Sequence, residues 1–371
     1  MSLEDHRRVP IAEPAIGEEE RERVREVLDS GMIADGEEVR TFEREFATTC
    51  HVDHGVATSN GTTALHTALR ACGIGEGDTV VTTPFSFVAT ANAVRFCGAE
   101  PVFADIERDS YALSVDSVQD RITADTAGIV PVHFAGDVAA EIRALRRLAD
   151  ENGLFLLEDA AHSLGASAYG TPAGSFGDAA TFSFAFNKIV TTGQGGMIVT
   201  DDASLADSVR TFRTQGRNGE GTYETWGLNL VMSSIHAAIG VAQMSKLDEF
   251  VERRRQMKRR YDAHLSDVPD VETPTTAPDR ESVHFLYNVS FEDTDTRRSL
   301  QTYLADDGIP TKVYYRPVHL REYYRREFGY DEGALPVTER VSSSILTLPF
   351  HLNLSDDDLQ HIGERVSAFF A

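Results

Sequence analysis

The sequence predicts an α/β protein: a large, mostly parallel sheet covered by helices on both faces, followed by a smaller α/β unit. Three observations predict it. From residue 79 to 158, short β-branched runs alternate with amphipathic helical stretches, the order that produces parallel strands joined by helical crossovers. At 371 residues the chain is long enough for one large domain and a smaller one. A stretch rich in proline, threonine and acids, SDVPDVETPTTAPDRE (266–281), then separates a long helical pattern from a second set of strands and helices.

Taken in order, residues 17–30 read as a helix with Val24, Val27 and Leu28 on one face and Gly31 as its stop. The loop GMIADG precedes a second helix through Phe42 and Phe46. A short apolar strand from Gly55 enters Ser59, Asn60, Gly61 and Thr62, and a helix starts near Ala64. Free amides at a helix start beside a glycine and hydroxyls form an anion site, although many α/β crossovers look similar. Strands follow at 79–83, 101–104, 129–133 and 154–158, with helices at 88–97, 115–122 and 139–152. Period-two runs at 179–184 and 197–200 read as two more strands. A helix, a loop containing GRNGEG and a long helical pattern over 232–265 follow. The smaller unit reads as strand 284–291, helix 297–306, strand 311–315 and a closing helix 356–369. The expected division is residues 1–250, with an N-terminal arm over 1–16, and residues 251–371.

Net charge is −24, with acidic residues spread along the chain. Such a surface repels nucleic acid and anionic membranes. The basic run RRRQMKRR (253–260) lies in the long helical pattern, where a solvated or interface face explains it. No run of about eighteen apolar residues offers a membrane span. The first residues, MSLEDHRRVPIAEP, lack a signal-type apolar stretch. Cys50, Cys72 and Cys97 have neither metal nor redox spacing, which suits a reducing compartment, so a cytoplasmic protein is expected.

The stretch from Gly174 to Thr200 carries the chemistry. The chain holds four lysines against thirty-one arginines, so a lysine that persists invites the question of what arginine could not do there. Only an amine with an accessible neutral form condenses with an aldehyde. Lys188 stands on the loop between two expected strands, with Ser183 five residues earlier and Gly193, Gly195 and Gly196 after it. Alone, the stretch is equally an ordinary hairpin bearing a surface lysine. Its companions decide: Asp159 at a strand end, Phe87 near another, and the strand-loop-helix at 59–62. Pyridoxal 5'-phosphate needs an anchored phosphate, a sandwiched ring, a carboxylate at its pyridine nitrogen and a lysine at its aldehyde.

Six ordered motifs then carry a resemblance over nearly the whole chain: SNGTTALHTAL (59–69), TTPFSFVATANAV (82–94), LLEDAAHSLGA (156–166), GSFGDAATFSF (174–184), NKIVTTGQGGMIVTDD (187–202) and GLNLVMSSIHAAIGVAQM (227–244). They resemble the sugar aminotransferases of the DegT/DnrJ/EryC1/StrS family, which implies the aspartate-aminotransferase-like fold (PLP fold type I), with a seven-stranded-type sheet, and a homodimer with a shared active site. The resemblance makes Lys188 the residue of the internal aldimine and Asp159 the partner of the pyridine nitrogen. Phe87 would stack on the ring. The Gly61 and Thr62 amides, the Ser183 hydroxyl and Asn229 from the partner subunit would hold the phosphate. His162 would lie near the phenolic oxygen. Asn229 is otherwise a helix N-cap and His162 a core histidine. Tyr315 and His319 would meet the substrate or else pack in the smaller unit.

Three positions depart from the family pattern: Ala185 where histidine is frequent, Gln194 where glutamate is usual, and Val231 where arginine or lysine is common. They bear on the substrate side. The FSFxxNK arrangement, TTGQGG and FRTQG (212–216) are most similar to the branch acting on nucleotide-linked 4-keto-6-deoxyhexoses, of the perosamine synthase type. The expected activity is transfer of an amino group from glutamate to such a sugar, for polysaccharide or glycan biosynthesis. A 3-keto sugar or keto-cyclitol substrate, a lyase of the same fold and a non-catalytic cofactor-binding regulator are the rivals. No cysteine in a glycine-flanked loop supports a desulfurase, and no metal site is expected.

Overall fold

The computed structural model describes residues 9–371; the expected arm over 1–16 therefore lies outside the described residues for its first eight positions. Two helices open the described chain, α1 (Glu18–Ser30) and α2 (Glu37–Thr49). α1 ends where Gly31 takes a left-handed φ of 73°, a turn glycine makes without a Cβ penalty. The face of α2 that carries Phe42 and Phe46 is buried, and both rings meet Phe184 edge to face at 5.0 and 5.3 Å.

The alternating region follows: β1 (His54–Thr58), α3 (Gly61–Ala71), β2 (Thr79–Thr82), α4 (Ala89–Phe96), β3 (Glu100–Phe103), α5 (Val115–Gln119), β4 (Thr126–Val130), α6 (Ile142–Asn152) and β5 (Phe155–Asp159). A small pair, β6 (Ser167–Ala168) and β7 (Thr171–Pro172), precedes β8 (Ala179–Ser183) and β9 (Gly196–Thr200). Seven strands form one sheet in the order β1-β9-β8-β5-β4-β2-β3. Only β9 runs against its neighbours. The carboxyl ends of β1, β8, β5, β4 and β2 thus emerge along one edge, where ligands of such sheets bind.

β9 has a second role. Its first residue, Gly196, faces Thr58 on one side and Ser183 on the other. A Cβ there would lie 2.4 Å from the Asn60 carbonyl, so only glycine lets the end of β8 and the loop after β1 come together.

After β9 come α7 (Ala203–Arg213), α8 (Ser234–Met244) and α9 (Leu247–Leu265). The single helix expected over 232–265 is two helices. α8 packs on α1 and α2, whereas Met257, Tyr261 and Leu265 of α9 enter a second core, so the chain changes direction at Ser245–Lys246.

The remainder is β10 (Arg280–Glu281), which pairs with β6, then β11 (Tyr287–Ser290), α10 (Thr294–Asp306), α11 (Glu322–Phe328), α12 (Pro336–Ser344), β12 (Ile345–Leu348) and α13 (Asp356–Phe370). β11 and β12 pair antiparallel beneath α9, α10 and α13 and share the second core with Val9 of the arm. The strand expected at 311–315 is not formed. Lys312 alone bridges to Thr347, and Val313, Tyr314 and Tyr315 turn their apolar surface onto the first core instead. The strand expected at 284–291 begins only at Tyr287, because Phe285 and Leu286 donate their amides to the Ala135 carbonyl. No helix among the described residues is long and apolar enough to cross a membrane.

Candidate active site

The sheet's carboxyl edge gathers most of the expected residues. Asp159 ends β5 and is 4% exposed. Its Oδ2 accepts from the Thr90 hydroxyl at 2.7 Å and its Oδ1 from the Ala161 amide at 3.2 Å. Burial raises its pKa, against the lowering effects of Thr90, Ala161 and Lys188. The Asp159 backbone is fixed as well: its amide donates to Pro131 at 2.9 Å and its carbonyl accepts from His133 at 3.0 Å.

Lys188 follows β8 on a turn in which its amide donates to the Ala185 carbonyl at 2.9 Å. Ile189 and Val190, both buried, pull the loop into the core. The lysine stem is half-buried while the amine is desolvated, its Nζ 4.7 Å from the centroid of Phe285. Desolvation pushes its pKa down to about 8, with Asp159 opposing.

His162 stacks on Phe285, with centroids 4.3 Å apart, and its Nε2 lies 3.3 Å from the Tyr315 hydroxyl. Burial first and Lys188 second hold its pKa well below the ordinary value, so the ring is neutral. Its Nδ1 is buried without a partner among the described residues. Phe87 is 56% exposed and 6.2 Å from the Tyr315 ring. Phe87, Tyr315, His162 and Phe285 thus form a continuous aromatic wall reaching Lys188.

At the other end, Asn60 caps α3, its side chain accepting from Thr63 at 2.9 Å. Gly61 and Thr62 are the first two helical residues, whose amides have no intrahelical acceptor. A Cβ on Gly61 would lie 2.7 Å from the Ser183 Cβ, so the Ser183 hydroxyl and those amides line one small hollow.

Two expected residues stand elsewhere. Asn229 is exposed and bridges to Thr214, beside a hollow of about 420 Å³ that Asp35, Arg217 and Tyr223 also line; the N-cap of α8 is Ser233. His319 is fully buried, its Nε2 3.2 Å from Glu339 and its ring between Phe103 and Tyr330. That is a packed position away from Lys188 and Asp159, although its Nδ1, like that of His162, is buried with no partner among the described residues. Of the three departures, Ala185 lies on the Lys188 turn, Gln194 on the following loop, and Val231 beside Asn229.

Sequence reasoning missed Phe285, Thr90 and the pair Glu158–His133. Glu158, fully buried, accepts from His133 Nε2 at 2.6 Å and from the Gly174, Phe176 and Gly177 amides at 2.9, 2.7 and 2.7 Å. Ala139 donates to His133 Nδ1, which places the imidazole proton on Nε2. The pair clamps β4, β5 and the loop before β8 from behind Asp159. The adjacent acids of LLEDAAH were the available signal: in a strand, one faces the site and the next the opposite side.

This set fits pyridoxal phosphate on its own geometry: a low-pKa amine and a buried carboxylate at one floor, an orphaned imidazole nitrogen beside them, and a hydroxyl-and-amide hollow at helix start. Among the described residues no group of acids, histidines and cysteines could hold a metal.

Comparison with known proteins agrees. Residues 14–367 match the model of the DegT/DnrJ/EryC1/StrS aminotransferase family. The chain is 37% identical to the spore coat polysaccharide biosynthesis protein SpsC of Bacillus subtilis (strain 168), covering 96% of each. It is 33% identical to GDP-perosamine synthase of Escherichia coli O157:H7, covering 98% of this chain and 99% of that one. The crystal structure of DesI with its TDP-sugar product superposes with a TM-score of 0.91 at 34% identity, over 98% of this chain and 93% of the other. Structural neighbours include a sugar aminotransferase in pyridoxal phosphate and pyridoxamine phosphate forms.

Proposed function

The chain belongs to the DegT/DnrJ/EryC1/StrS aminotransferase family, a family of pyridoxal phosphate-dependent sugar aminotransferases, and from that premise we propose that it transfers the amino group of glutamate to a nucleotide-linked 4-keto-6-deoxyhexose for surface polysaccharide or glycan biosynthesis. The observation that carries the reading is Lys188: a desolvated amine with a pKa near 8, facing a buried carboxylate at the carboxyl edge of the sheet. The likeness to GDP-perosamine synthases and to DesI with a TDP-sugar supports the sugar class.

In this reading pyridoxal phosphate, when bound, supplies an electron sink for the carbanion left when the donor loses its α-proton. The chain's residues do the rest. Asp159 keeps a proton on the pyridine nitrogen, and Thr90 and Ala161 keep the carboxylate aimed. Gly61, Thr62 and Ser183 bind the phosphate, with Asn229 reaching in from a second copy of the chain. Phe87 covers one ring face, and His162 offers its free Nδ1 beside the phenolic oxygen. Lys188 takes the α-proton as base and returns it as acid, a task suited to a group poised near neutral pH. Tyr315 closes the substrate side. Exposed Phe186 on the Lys188 turn and Tyr223 beside Asn229, at 54 and 68%, support a dimer that covers this edge. Unpaired Cys50, Cys72 and Cys97 suit a cytoplasmic site of action.

The test offers purified protein glutamate and a panel of keto-sugar nucleotides and identifies products by mass and NMR. A 4-amino-6-deoxyhexose nucleotide is expected. Turnover of keto-cyclitols alone would overturn the sugar assignment. The Lys188→Ala variant should lose transfer by at least ~10³-fold, since it lacks the proton carrier; undiminished transfer contradicts the mechanism.

A further inference from the structure

A cavity of about 550 Å³ lies between the two cores, and none of Lys188, Asp159, Phe87, His162 or Tyr315 lines it. Its walls come from the chain after β3 and β4 on one side and from the 272–290 segment on the other. Three lining residues, Tyr111, Ala135 and His284, hold positive φ angles of 57, 56 and 47° without being glycine. Such conformations persist only where surroundings impose them, and they gather at functional sites. Arg108 spans the mouth to Glu272 with two bonds of 2.8 Å.

The polar groups of the wall are unequally satisfied. Arg108 is taken up by Glu272, and Arg280 by the Val138 and Ala140 carbonyls at 3.2 and 2.5 Å with its Nε 3.4 Å from the Asp279 carboxylate, so each arginine of the wall already faces a carboxylate, which disfavours a phosphate. Asp137 is the reverse: among the described residues no cation bonds its carboxylate and its Oδ1 has no partner. Burial pushes its pKa up to about 6, against the Ser282 hydroxyl and the charges of Arg280 and Lys258. Asn288 is 2% exposed; its Oδ1 accepts from Thr347, and its Nδ2 has no acceptor among the described residues. Tyr111 and Phe134 supply aromatic surface and the serine and threonine side chains hydroxyls.

We propose that this cavity is a second ligand site, for a small aminated polyol without phosphate, such as a free amino sugar, whose ammonium pairs with Asp137 and whose hydroxyl accepts from Asn288. The pairing follows from the unmet groups: a carboxylate seeks a cation, an amide N–H an acceptor, and aromatic faces a sugar ring. The site stands one layer behind the lysine. Phe134 meets the His162 and Tyr315 rings at 5.9 and 6.1 Å, and the Ala135 carbonyl holds the Phe285 amide at 2.8 Å. An occupant therefore stiffens the wall on which Lys188 rests. Nothing in this depends on which sugar the enzyme aminates.

The test is calorimetric titration of the purified protein with D-glucosamine, D-glucose and glucosamine 1-phosphate. Saturable binding of glucosamine is expected, with glucose and the phosphate each at least about tenfold weaker, as a charge-assisted bond is gained or a like charge met. Asp137→Asn and, independently, Asn288→Leu should each weaken glucosamine about tenfold or more, while Lys188→Ala binds it as the parent does. No saturable binding, equal affinity for glucose, unchanged affinity in both cavity variants, or loss in Lys188→Ala would each overturn the proposal; the last would move the ligand to the lysine cleft.

Discussion

At the scale of single residues, the proposed mechanism turns on the amine of Lys188, and its protonation has a checkable signature. Desolvation lowers its pKa from 10.5 to about 8. Between those values the unfolded chain holds a proton that the folded chain lacks, so this lysine's penalty on stability is full below pH 8 and relieved as pH rises toward 10.5. Reductive methylation of the cofactor-free protein with formaldehyde, read by peptide mass, should label Lys188 half-maximally near pH 8. Lys246 should follow at higher pH, because its bonds to Glu20 and Glu19 outweigh burial and raise its pKa. If both lysines titrate together, the desolvated amine is wrong. Lys188 was legible because lysine is rare in this chain, and Asp159 because it stands at a strand end. Phe285 was not: a lone phenylalanine in HFLYNV looks like any core residue, and only the fold sets it under the amine. Nor could the sequence separate His162, which stacks on Phe285 beside the amine, from His319, which packs against Phe103, Tyr330 and Glu339.

At the scale of elements, local pattern predicted what each segment is better than where it ends. The sheet strands and the first helices follow from alternation and periodicity, since they pack on a face the pattern itself defines. The long helix failed at Ser245–Lys246 because two cores demand two directions, and the 311–315 strand failed because its side chains serve the first core more than a ladder. That same break in the helix hosts a buried network. Gln243 accepts from the Thr191 amide at 3.4 Å, on the lysine loop, and donates to Ala15 and Glu20 at 2.8 and 2.6 Å. Glu20 is 1% exposed and also accepts from Gly17 and bonds Lys246. Replacing Gln243 by leucine leaves Glu20 and the Thr191 amide short of partners, a loss of about 1–3 kcal/mol. Chemical denaturation should report that loss, and the Lys188 methylation profile should broaden or shift as its loop slackens. Unaltered stability and an unaltered profile would mean that the network neither holds the arm nor positions the loop.

At the scale of the whole molecule, two electrostatic effects of opposite sign compete, and salt separates them. A net charge of −24 makes the folded surface repel itself. Against this stand ion pairs such as Arg44–Glu37 and Arg259–Glu252, which are exposed and worth about 1 kcal/mol or less each. Raising salt weakens both, since the screening length falls from about 30 Å at 0.01 M to about 3 Å at 1 M. The pairs act over 2.9–3.4 Å and lose little, whereas the repulsion is summed over the whole surface and loses most of its strength. Buried contacts such as Glu43–Arg213, at 2.6 Å, are hardly touched. The arginine-rich, lysine-poor composition adds to the expectation, because guanidinium forks keep their geometry in strong electrolyte better than a single hydrated ammonium. The temperature of thermal unfolding in sodium chloride from 0.01 to 1 M should therefore rise by several degrees and then level, and the dimer proposed above should loosen at the low end, where two such surfaces would meet. A melting temperature that falls steadily with salt would mean that the surface pairs dominate and that the acidic excess is a tolerated burden.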